Sequence, residues 1–325
     1  MPNAIEIRGV TKTYGAKTAV DALDLEVREG GLYGFIGPNG AGKSTTIRLI
    51  MSIIFPDRGT LRVLGRASAV ESKDRIGYLP EERGVYRKMR VEAFLAYMAR
   101  LKGVDAAGLD GRVRHWLGRV GLADVARKRC QELSKGMQQK VQFVSAIIHE
   151  PDLIILDEPF SGLDPVNARL TRDLINEQHA RGRTVIFSTH VMQHAEQICD
   201  HIVMIDRGRK VLDATLDEIR GRFDPRTITV EPMEPGAEPP GAFDGVESVR
   251  REGAAWEMAV RDGADPAEVL RGIVARTRVR RIELRRPSLE DIFIALVREG
   301  GGEEESVRAS LRDEAAGEPV GGGRA

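Results

Sequence analysis

The chain has 325 residues, 42% hydrophobic and 30% charged, with 49 basic and 49 acidic side chains and a formal net charge of +0. This is the composition of a folded globular protein with room for one large domain and a smaller one. The charge balance argues against a nucleic-acid partner, which calls for a strongly basic domain, and no apolar run reaches the length of a membrane span.

Two cysteines, Cys130 and Cys199, stand far apart in no metal or CxxC spacing. They are expected to be buried thiols in a reducing compartment. The first residues lead directly into an alternating pattern at Ile5-Glu6-Ile7, with no signal peptide visible.

In chain order, short apolar strands are predicted at 5–10, 23–27 and 32–36. The third runs into Gly37-Pro38-Asn39-Gly40-Ala41-Gly42-Lys43-Ser44-Thr45, and a helix is predicted over 46–54. The string reads G-x-x-x-x-G-K-S, and a strand before it with a helix after it is the context of a phosphate-binding P-loop. Glycines let backbone N–H groups approach a polyphosphate closely. The helix start adds unpaired N–H groups and a positive dipole end. Lys43 would supply a point charge for the β- and γ-phosphates, and Ser44 a hydroxyl ligand for Mg²⁺.

Strands are predicted next at 60–64 and 76–79, the latter continuing into Pro80-Glu81-Glu82. Between 82 and 150 the strands stop, and helices are predicted over 91–102, 109–120 and 136–149. Ser134, in Leu133-Ser134-Lys135-Gly136, is placed to cap the last of them. A strand at 153–156 then runs into Asp157-Glu158-Pro159. An acidic residue ending a buried strand is the second half of a P-loop site, where Asp157 would hold Mg²⁺ directly or through water. Glu158 would act as general base toward a water facing the γ-phosphate. Further strands follow at 184–188, leading to Thr189-His190, and at 202–205. Strands alternating with helices over the first 220 residues predict α/β architecture.

From about residue 222 the character changes. A strand at 227–230 precedes a stretch at 232–241 that holds four prolines and reads as a linker. Strands at 246–250 and 255–260, a helix over 266–275, a strand at 278–284 and a helix over 288–297 describe a small α+β unit. The arginines at 276, 278, 280, 281, 285 and 286 lie among acidic residues such as Glu283 and read as a solvated strand. The glycine- and glutamate-rich tail, 300–325, is expected to be disordered.

Taken together, these motifs resemble one family. The P-loop, L-S-K-G-M-Q-Q at 133–139, L-I-I-L-D-E-P at 153–159, S-G-L-D at 161–164 and S-T-H at 188–190 occur in the order and spacing of the ATP-binding subunits of ABC transporters, over about residues 4–220. The resemblance implies a P-loop NTPase fold of ABC type at 1–220, with an inserted helical subdomain at about 82–150 and a small α+β accessory domain at 221–299. It implies ATP and Mg²⁺ as ligands, a homodimer or pseudo-symmetric dimer closed around two ATP molecules, and a separate transmembrane permease as partner. Such a protein would be cytoplasmic, held at the inner face of the membrane through that permease.

By the same resemblance, Tyr14 would stack on adenine. Ser134 and Gly136 would reach the γ-phosphate bound to the other subunit, Asp164 would lie at the dimer interface, and His190 would touch the γ-phosphate. The other five histidines are read as structural.

Two positions depart from the family pattern L-S-G-G-Q, with Lys135 in place of a glycine and Met137 in place of the glutamine. Glu81 stands where the family has a glutamine near Mg²⁺. Both variants are similar to the ABC-2 exporter branch, and the C-terminal unit resembles an accessory domain of sodium-extrusion and drug-export subunits. An ABC ATPase acting on ribosomes is the first rival, but such proteins usually carry two ATPase domains, and one P-loop is present. A DNA-repair ATPase is the second, but it would need a long coiled coil. A purely regulatory ATP-binding module is opposed by the presence of Glu158 and His190.

Overall fold

The computed structural model describes residues 2–82, 84–223, 226–234 and 243–299. The expected disordered tail and most of the proline-rich linker, 235–242, lie outside the described residues. Residues up to Thr215 and residues 216–296 form two compact units.

In chain order, the first unit holds β1 (Asn3–Tyr14), β2 (Lys17–Arg28), β3 (Leu32–Ile36), α1 (Lys43–Ile50), β4 (Arg58–Val63), β5 (Ile76–Leu79), α2 (Val91–Leu101), α3 (Leu109–Arg119) and α4 (Lys135–Ile147). It continues with β6 (Leu153–Asp157), α5 (Pro165–Ala180), β7 (Thr184–Thr189), α6 (Met192–Ile198), β8 (His201–Asp206) and β9 (Arg209–Thr215). Strands β2, β1 and β4 form an antiparallel sheet. A second sheet has the order β5-β6-β7-β3-β8-β9, parallel except for β9.

Burial separates the two sheets. Every residue of β3, β6 and β7 is buried, as expected for parallel strands covered on both faces. In β2, Leu23, Leu25 and Val27 are buried while Asp24 and Glu26 are exposed, the alternation of a sheet with one wet face. One apolar core joins the antiparallel sheet, α1 and the parallel sheet through Ile5, Val27, Phe35, Ile47, Ile155 and Ile186. The α/β P-loop fold expected from the sequence is the fold observed.

Three elements of this unit escape the sequence pattern. α5 buries only Thr171, Leu174, Ile175 and Gln178, too few apolar positions to draw a clear stripe. α6 spans seven residues, and β9 buries Leu212 alone. Both cysteines are buried free thiols. His149, just past α4, is buried, with Nε2 3.1 Å from the carbonyl oxygen of Ile76.

The second unit contains α7 (Leu216–Arg222), β10 (Thr227–Pro232), β11 (Val246–Glu252), β12 (Ala255–Val260), α8 (Pro266–Arg276), β13 (Val279–Arg285) and α9 (Leu289–Glu299), whose end runs past the unit's last residue. Its sheet has the order β11-β12-β10-β13, antiparallel throughout. The core is built on Ile228, Val230, Trp256, Met258, Val269 and Ile273. Asp265 caps α8, accepting from the Ala267 N–H at 2.9 Å, with Pro266 in the first turn where a missing N–H costs little. The arginines of β13 are ion-paired: Arg280 with Glu231 at 3.2 Å, Arg281 with Glu283, and Arg285 with the buried Glu257 at 2.7 Å. Among the described residues no helix is long and apolar enough to cross a membrane.

Candidate active site

The order β5-β6-β7-β3 decides which residues meet. All four strands are parallel, so the loops leaving their carboxyl ends gather along one edge of the sheet, where open α/β sheets bind ligands. Those loops carry Glu81 after β5, Glu158 after β6, His190 after β7 and the P-loop after β3.

The P-loop turns sharply into α1. Gly37 has φ +152° and a Cβ there would lie 2.1 Å from the carbonyl oxygen of Ile205. Gly42, at the N-cap of α1, has φ +112°, and its Cβ would lie 2.4 Å from the carbonyl oxygen of Ala19. Neither position accepts a side chain. The Ala41 N–H donates to the Pro38 carbonyl at 3.1 Å, closing the turn. Lys43 is buried, and its ammonium donates to the carbonyls of Gly37 at 2.6 Å and Pro38 at 3.1 Å. The loop thus wraps its own lysine.

The carboxylates lie against this loop. Asp157 is buried, and its Oδ1 accepts from Ser44 Oγ at 3.2 Å and Ser188 Oγ at 2.5 Å. Burial pushes its carboxyl above the usual range, while the two hydroxyls pull it back. Glu158 is buried at φ +48°, a left-handed conformation uncommon outside glycine and frequent at functional sites. Its Oε1 lies 3.9 Å from Lys43 Nζ and 3.0 Å from His190 Nδ1. Its backbone N–H donates to Ser188 Oγ at 3.0 Å. Burial pushes the Glu81 carboxyl up, and Asp157 and Glu158 push it further.

Tyr14, Asn39, Gly40, Gly42, Lys43, Ser44, Thr45, Glu81 and Glu158 line one open cleft of 440 Å³, joined by Lys17 and Ala19. A smaller cavity of 60 Å³ shares Glu81 and Glu158 and adds Asp157, with Gln139 and Gln142 of α4. Gln139 donates to the Pro159 carbonyl at 2.9 Å and Gln142 to the Glu82 carbonyl at 3.2 Å. These glutamines therefore hold the loops carrying Glu158 and Glu81.

The remaining sequence candidates gather elsewhere. Ser134 caps α4, its exposed Oγ accepting from the Met137 N–H at 3.3 Å. Asp164 caps α5, accepting from the N–H groups of Val166 and Asn167 at 3.0 Å each. Those backbone bonds and the Asn167 amide hold its carboxyl below the usual range. A Cβ on Gly136 would touch the same Asn167 amide, at 3.4 Å. Ser134, Gly136 and Asp164 line neither cavity.

Sequence reasoning gave no role to Ser188, Gln139, Gln142 or Asn167. Ser188 had a signal, a hydroxyl directly ending the apolar Val185-Ile186-Phe187 run. The two glutamines carry only the weaker signal of amides three apart on one helix.

Comparison with known proteins identifies the family. Residues 20–161 match the ABC transporter family, and residues 215–297 match the ATP-binding protein DrrA1-3-like C-terminal domain. The chain is 37% identical over 293 residues to the ABC transporter ATP-binding protein YhaQ of Bacillus subtilis, covering 90% of this chain and 98% of that one. It is 33% identical over 309 residues to the Nod factor export ATP-binding protein I of Sinorhizobium fredii, covering 90% of this chain and 85% of that one. A solved structure of the ATP binding subunit of an ABC transporter superposes with a TM-score of 0.63 at 34% identity, covering 68% of this chain and 93% of that one. The chain belongs to the ATP-binding proteins of ABC transporters, ATP-hydrolysing subunits that work with a separate membrane permease.

Proposed function

We propose that this subunit binds MgATP in the P-loop cleft, closes on a second copy, and powers export through its permease at the inner face of the membrane. The observation that carries the reading is the position of the Glu158 carboxylate, 3.9 Å from the P-loop ammonium and 3.0 Å from His190. In it, a base, a phosphate-binding cation and an imidazole meet at the lip of one cleft.

The donor set suits a small hard cation. A carboxylate and a hydroxyl, Asp157 and Ser44, stand 3.2 Å apart, with Glu81 on the same cavity wall as Asp157. Among the described residues no group of three His, Cys, Asp or Glu could hold a metal ion unaided. Mg²⁺ commonly takes one or two carboxylates and completes its shell with phosphate and water. When bound it would neutralise charge on the β- and γ-phosphates.

The chain's own groups do the rest. Tyr14 stacks on the adenine. Gly37, Pro38, Asn39, Gly40, Ala41, Gly42 and Thr45 shape the phosphate cradle at the start of α1. Lys43 exchanges its carbonyl contacts with Gly37 and Pro38 for phosphate oxygens. Glu158 accepts a proton from water as the water oxygen bonds to the γ-phosphorus and the bond to the ADP oxygen breaks. His190 holds the Glu158 carboxylate and reaches the γ-phosphate. Ser134, Gly136 and Asp164, which line neither cavity of their own chain, serve the partner copy's nucleotide.

The catalytic core is assigned to residues 1–220 and the accessory domain to 221–299. Export is supported by the relative named for Nod factor export and by the DrrA-like C-terminal match. The permease is assigned to the helical segment 82–150. There Tyr86 is 52% and Tyr97 41% exposed, with ring centroids 5.7 Å apart, an apolar patch open to a partner.

The deciding experiment uses purified Glu158→Gln. The variant should bind MgATP normally yet lose about 10²–10⁴-fold in hydrolysis, the scale of a general base. Near-normal turnover would remove Glu158 from the chemistry.

A further inference from the structure

Asp57 lies outside every motif of the site, yet it reaches the nucleotide cleft through Tyr14. The ladder between β1 and β4 ends at the pair Thr11–Arg58. Beyond it, residues 12–14 have no strand beside them on that flank. The pairing of β1 with β2 is also irregular there, slipping between Lys12 and Thr13. A bulge of this kind frees backbone groups and re-aims side chains.

Asp57 closes that gap from the start of β4. Its backbone N–H donates to the Thr11 carbonyl at 2.8 Å. Its carboxylate accepts from Lys12 Nζ at 2.7 Å and from both the N–H and the Oγ of Thr13 at 2.7 Å. Tyr14 follows directly, 50% exposed, on the wall of the cleft. Lys12 Nζ also sits 5.7 Å from the centroid of the Tyr14 ring, within cation–π range. One carboxylate therefore fixes the backbone before the tyrosine and the ammonium over its ring. The strength of the clamp is reflected in the Asp57 carboxyl, held down to about 2 by the Lys12 and Thr13 hydrogen bonds.

The other end of the connection is the P-loop helix. Asp57 follows α1 by a short loop, which returns Ile53 N–H to the Arg48 carbonyl at 2.9 Å and joins Ser52 Oγ to Ser68 Oγ at 3.1 Å. The phosphate-binding helix and the tyrosine are thus linked by a braced path only a few residues long.

We infer that Asp57 is a positioning residue for the nucleoside half of the substrate, holding Tyr14 at a set distance from the P-loop so that ring and phosphate cradle engage one ATP together. The inference rests on the reading of Tyr14 as the adenine-stacking residue. It assigns Asp57 no contact with ATP.

The experiment titrates the full-length chain, in Mg²⁺, with ATP and separately with inorganic tripolyphosphate, which has no base to stack. Asp57→Ala should weaken ATP about two- to tenfold, the range a ring–base stack contributes, and leave tripolyphosphate unchanged. KM for ATP should rise with kcat held. Asp57→Asn keeps the size and one acceptor oxygen and should lose less. In a Tyr14→Ala background, Asp57→Ala should cost nothing further. Unchanged ATP affinity in Asp57→Ala, equal loss of both ligands, or losses that simply add to those of Tyr14→Ala would each overturn the assignment. Lys43→Ala serves as the separate check on the P-loop. If it spares both ligands, the site reading fails. If Tyr14→Ala by itself leaves ATP affinity unchanged, the adenine-stacking reading fails. An Asp57 result that deviates while Lys43→Ala abolishes binding and Tyr14→Ala weakens ATP but not tripolyphosphate counts against Asp57 alone.

Discussion

Asp157 and Ser188 are paired in register across β6 and β7, and Ser188 Oγ donates to Asp157 Oδ1 at 2.5 Å. The same hydroxyl accepts the Glu158 N–H at 3.0 Å. One side chain thus orients both Asp157 and Glu158, the first through its carboxylate and the second through its backbone.

Ser188→Ala should therefore destabilise the fold by about 1.5–3 kcal/mol, the usual worth of a hydrogen bond to a charged group. It leaves a buried carboxylate with one donor fewer and a buried N–H with none. Removing a donor that lowers the Asp157 carboxyl should also let it hold its proton to higher pH. Urea unfolding measures the first effect. Ser188→Thr, which keeps the hydroxyl, should recover most of it. A loss below about 0.5 kcal/mol, the scale of an ordinary surface substitution, would show that the contact carries little.

Glu81 faces the same cavity as Asp157 and Glu158, and burial with those two carboxylates raises its carboxyl. Three acidic groups are costly together unless a cation neutralises them. In the proposed reading Mg²⁺ is that cation. Glu81→Gln should raise the Mg²⁺ concentration for half-maximal ATPase by about tenfold, as removal of a group supporting a metal does, with kcat recovered at saturating Mg²⁺. An unchanged Mg²⁺ titration would take Glu81 out of the metal's surroundings.

What the sequence displayed was chemistry written in consecutive residues. Lys43 and Ser44 are legible because the P-loop is one string, and Asp157 and Glu158 because they end an unbroken apolar strand. Contacts made across the sheet are not written that way. Ser188 and Asp157 lie 31 positions apart, and Asp57 and Thr13 lie 44 apart. Only the strand order brings them together. The helical block was legible because α2 and α3 each bury a clear apolar stripe and α4 ends in the mostly apolar buried run 141–147. α5 escaped because its buried face is half polar, through Thr171 and Gln178.

His149 should make the fold acid-sensitive. Burial, then the Lys102 ammonium, lower its pKa from 6.5 to about 4. The unfolded chain therefore binds a proton that the folded chain refuses. Stability is full above pH 6.5 and declines as pH falls toward 4. At ~pH 5 the loss amounts to about 2 kcal/mol relative to ~pH 7.5. His149→Gln retains a donor for the Ile76 carbonyl and should flatten this profile. Urea unfolding at the two pH values checks it. Equal pH dependence in both proteins would show that the imidazole takes up its proton without unfolding.

Ser134, Gly136 and Asp164 form a surface of their own. Asn167 joins two of them, touching the Gly136 position and hydrogen-bonded to Asp164. Ser134 begins α4, where an exposed hydroxyl and a helix N-terminus favour an anion. None of the three lines the chain's own cleft. In the proposed dimer they meet the partner's nucleotide, and the arrangement can be tested by mixing defects. In a Glu158→Gln background, where bound ATP is not consumed, the chain should form a dimer on adding MgATP. Adding Ser134→Arg should abolish the dimer while leaving ATP bound to the P-loop, because the new side chain blocks the γ-phosphate from the far side. Adding Lys43→Ala instead should abolish the dimer by removing ATP. A mixture of the two variants can still build one complete site, from the P-loop of the Ser134→Arg chain and the α4 start of the Lys43→Ala chain. Light scattering should therefore find dimer in the mixture and monomer in each variant alone. Monomer in all three, with dimer in the Glu158→Gln parent, would refute a dimer held by a single cross-subunit site. A dimer of Ser134→Arg by itself would place this surface away from the nucleotide.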